Sequence, residues 1–306
     1  MDIHQSKLSN CFWFDGNAEE AANFYIETFQ DGKVNHITRY GKAGKEHHGQ
    51  EEGSVLSVEF QIYDSHFTAL NGGDVFSPNP SISFYVTYED EEQLDGVWKT
   101  LATNGNILMP LDKYDWSQKY GWVQDRFGVS WQLSLGNMED VKHQKIVPTF
   151  LFPHTQPGQA APAIEYYTSI FPDSDVIGIL QYPAEDQDGN AGNVMHAQFS
   201  LLGKQIMAMD SGVPQDYSFT EGISFVILCE DQAEVDHYWN SLSQDGEEQP
   251  CGWLKDKFGV SWQVIPRRMM ELFKSNEQEA KERLSACMFK MKRLVMSELE
   301  EAFENG

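Results

Sequence analysis

Several places along this chain carry side chains that could do chemistry. Val58, Phe60 and Ile62 alternate with Ser57, Glu59 and Gln61, which puts Glu59 on the polar face of a half-buried strand. Ala197, Phe199 and Leu201 alternate with His196 and Gln198 in the same way. A carboxylate or imidazole on such a face could bind a metal or move a proton, and it could equally be a polar residue turned to water. No second histidine stands at ligand spacing from His196. Gln132 and Gln263, with Ser130 and Ser261, lie opposite Trp131 and Trp262, so they share the polar faces of two further strands. Asn71 and Asp210 precede Gly72-Gly73 and Ser211-Gly212, where they could touch a ligand at a strand end or cap a turn. Tyr114, Trp116, Tyr120 and Trp122 fall within one expected loop and could line a pocket for a planar ligand or seal an edge. Cys251 has Lys255 as its nearest cation and no histidine close by, which favours an inert thiol. His47-His48 lies in a solvated loop rich in Gly and Glu.

The elements that position these residues occur twice. Asp125-Arg-Phe-Gly-Val-Ser-Trp-Gln-Leu133 returns as Asp256-Lys-Phe-Gly-Val-Ser-Trp-Gln-Val264, at an offset of 258 − 127 = 131. Trp98 and Trp239 match at 239 − 98 = 141, and Ile82-Ser83-Phe84 matches Ile223-Ser224-Phe225 at the same offset. Two copies therefore run in tandem, expected over 7–137 and 145–267. The fall from 141 to 131 removes ten residues from the second copy, in a stretch corresponding to the Met109 to Trp122 loop. Each copy reads as strand, helix, several strands, helix, strand. Asn17 with Glu20 has the spacing of a capping box, and Ala21, Phe24, Tyr25 and Phe29 form the buried stripe of the first helix. The tail, 268–306, is expected to be helical, with Leu284, Met288, Met291, Val295, Leu299 and Phe303 on one stripe that packs across the domains or between chains.

Composition narrows the class of protein. The 306 residues carry 22 Lys plus Arg against 47 Asp plus Glu, a charge of 22 − 47 = −25, which repels phosphate backbones and disfavours nucleic acid as a partner. At 41% hydrophobic and 13% aromatic residues, the chain can fill packed cores and is not a disordered acidic polymer. No apolar run reaches the length of a membrane span and no signal pattern opens the sequence, so a cytoplasmic location without membrane contact is expected. Four cysteines without a CxxC pair fit reduced thiols.

The motifs Trp13-Phe-Asp-Gly through Tyr25, Ala69-Leu-Asn-Gly-Gly73 and Cys251-Gly-Trp through Val264 resemble the PhnB-like branch of the vicinal oxygen chelate superfamily, which includes glyoxalase I and bleomycin resistance proteins. Part of that branch carries a demethylubiquinone methyltransferase label. The resemblance implies an α+β fold of tandem glyoxalase-like domains, each of two βαβββ modules whose sheets curve around a cleft, folded as an intramolecular pseudo-dimer and open to further homodimerisation. Metal-using relatives hold a divalent ion on cleft-facing strand residues. The positions that the resemblance assigns to that role are Asn10, Ser83, Ser224, Gln132 and Gln263, which offer amides and hydroxyls in place of imidazoles and carboxylates. No cofactor is therefore expected, and a divalent metal is the alternative. The functional expectation is a small-molecule-binding protein of unassigned activity. A metal-dependent glyoxalase-type or dioxygenase-type enzyme and, more remotely, a methyltransferase stand as alternatives. The cleft of the first copy is expected to be the deeper, combining Glu59 with the aromatic loop that holds Trp116 and Trp122, while the second copy presents His196 and Gln198.

Overall fold

The computed structural model describes residues 6–45, 49–186 and 190–305, so His47-His48 lies outside the described residues. Four modules follow one another. The first comprises β1 (Leu8–Phe14), α1 (Ala18–Phe29), β2 (Gly32–Arg39), β3 (Val55–Ile62) and β4 (Ser65–Asn71). The second comprises β5 (Ile82–Tyr88), α2 (Glu91–Ala102), β6 (Asn106–Tyr114), β7 (Ser117–Gln124) and β8 (Ser130–Leu135). The third comprises β9 (Ile146–Phe152), α3 (Ala160–Ile170), β10 (Val176–Gln181), β11 (Val194–Leu201) and β12 (Lys204–Asp210). The fourth comprises β13 (Ile223–Cys229), α4 (Gln232–Leu242), β14 (Glu247–Glu248), β15 (Trp253–Lys255) and β16 (Ser261–Pro266).

Within a module the first strand runs parallel to the last, as in β1 with β4 and β13 with β16. That leaves one edge of each first strand free, and it is filled by the first strand of a module from the other copy. β1 pairs antiparallel with β13, and β5 with β9. Two eight-stranded mixed sheets result. Sheet A runs β14-β15-β16-β13-β1-β4-β3-β2 and joins modules four and one; sheet B runs β10-β11-β12-β9-β5-β8-β7-β6 and joins modules three and two. Each copy keeps its own aromatic core between the sheets. Phe12 on sheet A meets Phe84 on sheet B with ring centroids 5.3 Å apart, and Phe150 meets Phe225 at 5.0 Å. Each such buried ring contributes about 1.5–3 kcal/mol.

The repeated Asp-x-Phe-Gly-Val-Ser-Trp segment is a framework device. Asp125 accepts hydrogen bonds from Phe127 N at 2.8 Å, Val129 N at 3.2 Å and Trp131 Nε1 at 2.8 Å. Asp256 does the same for Phe258 N, Val260 N and Trp262 Nε1 at 2.8, 3.1 and 2.8 Å. The intervening Gly128 and Gly259 have φ of +87° and +91°, where a side chain would be strained. One buried carboxylate thus closes a turn and fixes the largest ring of each core.

Three expectations about local structure need correction. The side chain of Asn17 makes no cap hydrogen bond; α1 starts instead against Asn71, whose Oδ1 accepts from Ala18 N at 2.9 Å. The loop expected before Trp122 is the extended hairpin β6–β7, where alternation is blurred by three register shifts. The tail is three short helices, α5 (Arg267–Phe273), α6 (Gln278–Met288) and α7 (Met296–Glu304), so its apolar stripe is broken between Phe289 and Val295.

Candidate functional site

Strand alternation sends one set of side chains into the cores and the other to the outer face of each sheet. At the seam of sheet B, Gln132 Nε2 donates to Ser83 Oγ at 2.7 Å, and Tyr120 OH donates to Gln132 Oε1 at 2.7 Å. At the seam of sheet A, Gln263 Nε2 donates to Ser224 Oγ at 2.9 Å. The expected first-strand position, Asn10, is one residue out of register. It shares the inner face with Phe12 and its amide lies 3.5 Å from the His66 carbonyl, so Cys11, paired with Ser224, faces outward in its place. Burial pushes the Cys11 thiol up to about 11. These groups satisfy one another as amides, hydroxyls and a protonated thiol, and that donor set does not fit a divalent first-row ion. Among the described residues no group of three His, Cys, Asp or Glu side chains could hold a metal.

The expected pairing of Glu59 with the aromatic segment does not occur. Glu59 lies on sheet A and the aromatic hairpin on sheet B, because the two modules of one copy belong to different sheets. His196 and Gln198 belong to the same sheet as that hairpin. His196 is half-buried beside Leu180 of β10, and burial holds its imidazole below the usual range. On the hairpin Tyr114 stacks on Trp116 at 4.9 Å, and Trp116 is 68% exposed. Trp122 is half-buried and its Nε1 has no hydrogen-bond partner among the described residues. Asn71 and Asp210 are occupied by backbone. Asn71 Nδ2 donates to Val55 O at 2.9 Å, while Asp210 accepts from Ala160 N at 3.0 Å and Val194 N at 2.9 Å. Both side chains clamp a helix start to a neighbouring strand.

The outer face of sheet A contains a cavity of about 260 Å³. Ser9 of β1, His36 of β2, Glu59 of β3, and His66 and Thr68 of β4 line it, and Lys274 closes it from the tail. Register brings these residues together, since Glu59 stands opposite His36 on one side and Thr68 on the other. Glu59 is buried, and Lys274 Nζ lies 3.2 Å from its Oε2. Burial, reinforced by Lys204, holds His66 below the usual imidazole range against the opposing Asp64 and Glu59. Sequence reasoning found Glu59 and missed the rest. His66 and Thr68 are opposite Phe67 in parity and were within reach of that argument. Lys274 was not, being 215 residues from Glu59.

The tail forms the roof of this face. Met269, Leu272, Leu284, Leu294 and Leu299 bury Leu228 and Ile265, which point outward from β13 and β16. Cys251 N and Gly252 N donate to Met291 O and Lys292 O, both at 2.8 Å, so the tail uses the space that the shortened β14–β15 hairpin leaves open. Glu282 reaches the first copy, accepting from Lys42 N at 3.0 Å and Ala43 N at 2.7 Å. Burial pushes the Cys251 thiol up to about 11, in keeping with an inert group.

Comparison with known proteins follows the same architecture. A PhnB protein from Bacillus cereus is 39% identical, over 43% of this chain and 100% of its own, with a TM-score of 0.39. Two point variants of glyoxalase I from Zea mays are 9% and 10% identical, each with a TM-score of 0.52. They cover 87% and 85% of this chain and 96% and 94% of theirs, which is a likeness of fold alone. No curated protein matches the chain. The sequence matches the family described as 3-demethylubiquinone-9 3-methyltransferase over residues 6–134 and again over 144–265. With two copies of that pattern in one glyoxalase-like pseudo-dimer, the chain belongs to the PhnB-like 3-demethylubiquinone-9 3-methyltransferase family.

Proposed function

We propose that the protein binds a small polar molecule in the cavity of sheet A and needs no divalent metal to do so. The observation that carries this reading is the convergence of Ser9, His36, Glu59, His66, Thr68 and Lys274 on one cavity of about 260 Å³. A few convergent polar groups in a concave site are what fixes the orientation of a small ligand. Glu59 would accept from a ligand hydroxyl or amine, Lys274 would donate to a ligand oxygen, and His66, neutral near pH 7, could do either. In this reading the repeats 7–137 and 145–267 are the domains and 268–306 supplies the roof. The four free cysteines support a reducing, cytoplasmic setting. Methyl transfer gains no support beyond the family description, since Trp13-Phe14-Asp15-Gly16-Asn17, which ends β1 and leads into α1, is not the Gly-rich turn that cradles a nucleotide-like cofactor.

A thermal-shift screen of small polar metabolites tests the proposal. Compounds that stabilise the native protein should lose their effect in Thr68→Trp, which fills the cavity, and be weakened in Glu59→Gln. Stabilisation that survives Thr68→Trp would move the site elsewhere. Near-stoichiometric Zn, Ni, Mn or Fe retained after exposure and dialysis would defeat the metal-free part.

A further inference from the structure

The two sheets end in four edge strands, and three of them are blunted against further pairing. β14 is two residues long and both are glutamate. β6 carries Pro110, Asp112 and Lys113 and three register shifts. β2 carries Lys33 and Arg39 with two register shifts. Short length, charge, proline and bulges are the devices that keep a sheet edge from pairing with another chain. The fourth edge, β10, reads Val-Ile-Gly-Ile-Leu-Gln; it has two register shifts, but no charge and no proline. All six residues are exposed, including Val176, Ile177, Ile179 and Leu180 at 49, 39, 44 and 55%. Met195 on the neighbouring β11 adds to the same apolar surface.

Gly178, at the centre of β10, is an independent observation. Its φ is not positive, and a Cβ built there would meet nothing within 4 Å among the described residues. A glycine inside a strand marks either a bulge, such as the register shift between Val176 and Gly178, or a place left open to close approach by another backbone, and the open edge here allows the second.

We infer that β10 pairs antiparallel with β10 of a second copy of this chain, joining two B sheets through a two-fold axis. The distribution of charge selects this partner and direction. Asp173 and Asp175 precede the strand, and Glu185 and Asp186 follow it after Tyr182 and Pro183. Parallel pairing would set Asp175 against its own copy. Antiparallel pairing centred on Gly178 and Ile179 sets Asp175 against Tyr182 and Ile177 against Leu180, so apolar residues meet and the acids do not. An unrelated acidic chain would lack this match, and in a molecule of charge −25 the uncharged edge is a place where two copies can approach. A six-residue strand buries less than the roughly 1,200 Å² of a standard interface, so the dimer should be reversible and dependent on concentration.

Sedimentation velocity across a concentration series decides the matter. The full chain should shift from the monomer mass to twice that mass as concentration rises. Leu180→Lys and Gly178→Val should stay monomeric with unchanged far-UV circular dichroism, and Ile107→Lys, on the blunted β6 edge, should dimerise as the native chain does. A native chain that stays monomeric throughout would overturn the inference. So would a dimer that survives both β10 variants, or one that is lost equally in Ile107→Lys.

Discussion

Sheets A and B have equivalent strand orders, yet their outer faces are finished with different pieces of chain. On sheet B the long β6–β7 hairpin brings Tyr114, Trp116 and Tyr120 to one end, and the turn Met138–Val141 lays Val141 over Val147 and Met207. On sheet A the equivalent hairpin is cut to β14–β15, and the C-terminal helices take over its role. The exchange changes the chemistry of the face. The hairpin contributes aromatic rings next to an amide and hydroxyl network, while the tail contributes an apolar lid and one cation, Lys274, aimed at a buried carboxylate. A lost strand segment and a gained tail are thus two halves of one change, and they explain how a repeated sequence yields two unequal faces.

The largest test of that comparison is the roof itself. Leu294 is fully buried in the roof of sheet A, so Leu294→Ala should cost about 2–5 kcal/mol in chemical denaturation. Val141 plays the corresponding part on sheet B within a smaller cluster, and Val141→Ala should cost about 1–2 kcal/mol, since fewer methyl groups are removed. Equal losses would mean that the tail is a surface appendage and the asymmetry of the faces has no energetic content. A smaller effect is expected at the ion pair. Lys274 is partly exposed, which screens its attraction, so Lys274→Ala should cost only about 1 kcal/mol while altering any ligand response of the cavity. Trp116→Ala, on the exposed hairpin tip, should leave both stability and that cavity response almost unchanged.

These differences mark how far the sequence could be read. The modules were legible because alternation around Phe60, Phe84, Trp131 and Trp262 and the doubled Asp-x-Phe-Gly-Val-Ser-Trp segment report directly which side chains are buried. β2 was not among the strands expected, since an edge strand with most of both faces half-buried or exposed shows no alternation. The assignment of modules to sheets was hidden for a different reason. An internal repeat reports that β1 and β9 are equivalent, but not that β1 will pair with β13. Glu59 was therefore placed with the wrong aromatic neighbours although its strand and face were read correctly. Lys274 could be found only from the folded chain, because its approach to Glu59 depends on the path of a tail that no repeat describes.

Where the two copies share a framework, they should behave alike, and the finest test asks whether they do. Asp125 and Asp256 are both pushed up from 3.8 to about 6, primarily by burial, with hydrogen bonds from Trp131 in one copy and from Tyr167 and Trp262 in the other opposing the rise. A carboxyl whose folded value lies above its unfolded value holds its proton more tightly when folded. Its protonation therefore supports the fold fully below about pH 4, and that support fades as pH rises through about 6, at a rate of about 1.4 kcal/mol per pH between those two values. Carboxyl-carbon NMR should show two aspartates titrating near pH 6, one lost in Asp125→Asn and the other in Asp256→Asn. In denaturation between pH 4 and pH 7, each variant should lose a similar part of the pH-dependent slope of the native chain. Midpoints below 4 would show that the hydrogen bonds from indole and amide groups outweigh burial. A single midpoint near 6 would place the difference between the copies at the tyrosine, since Tyr167 OH donates to Asp256 at 2.7 Å whereas Tyr25 OH has no hydrogen-bond partner among the described residues.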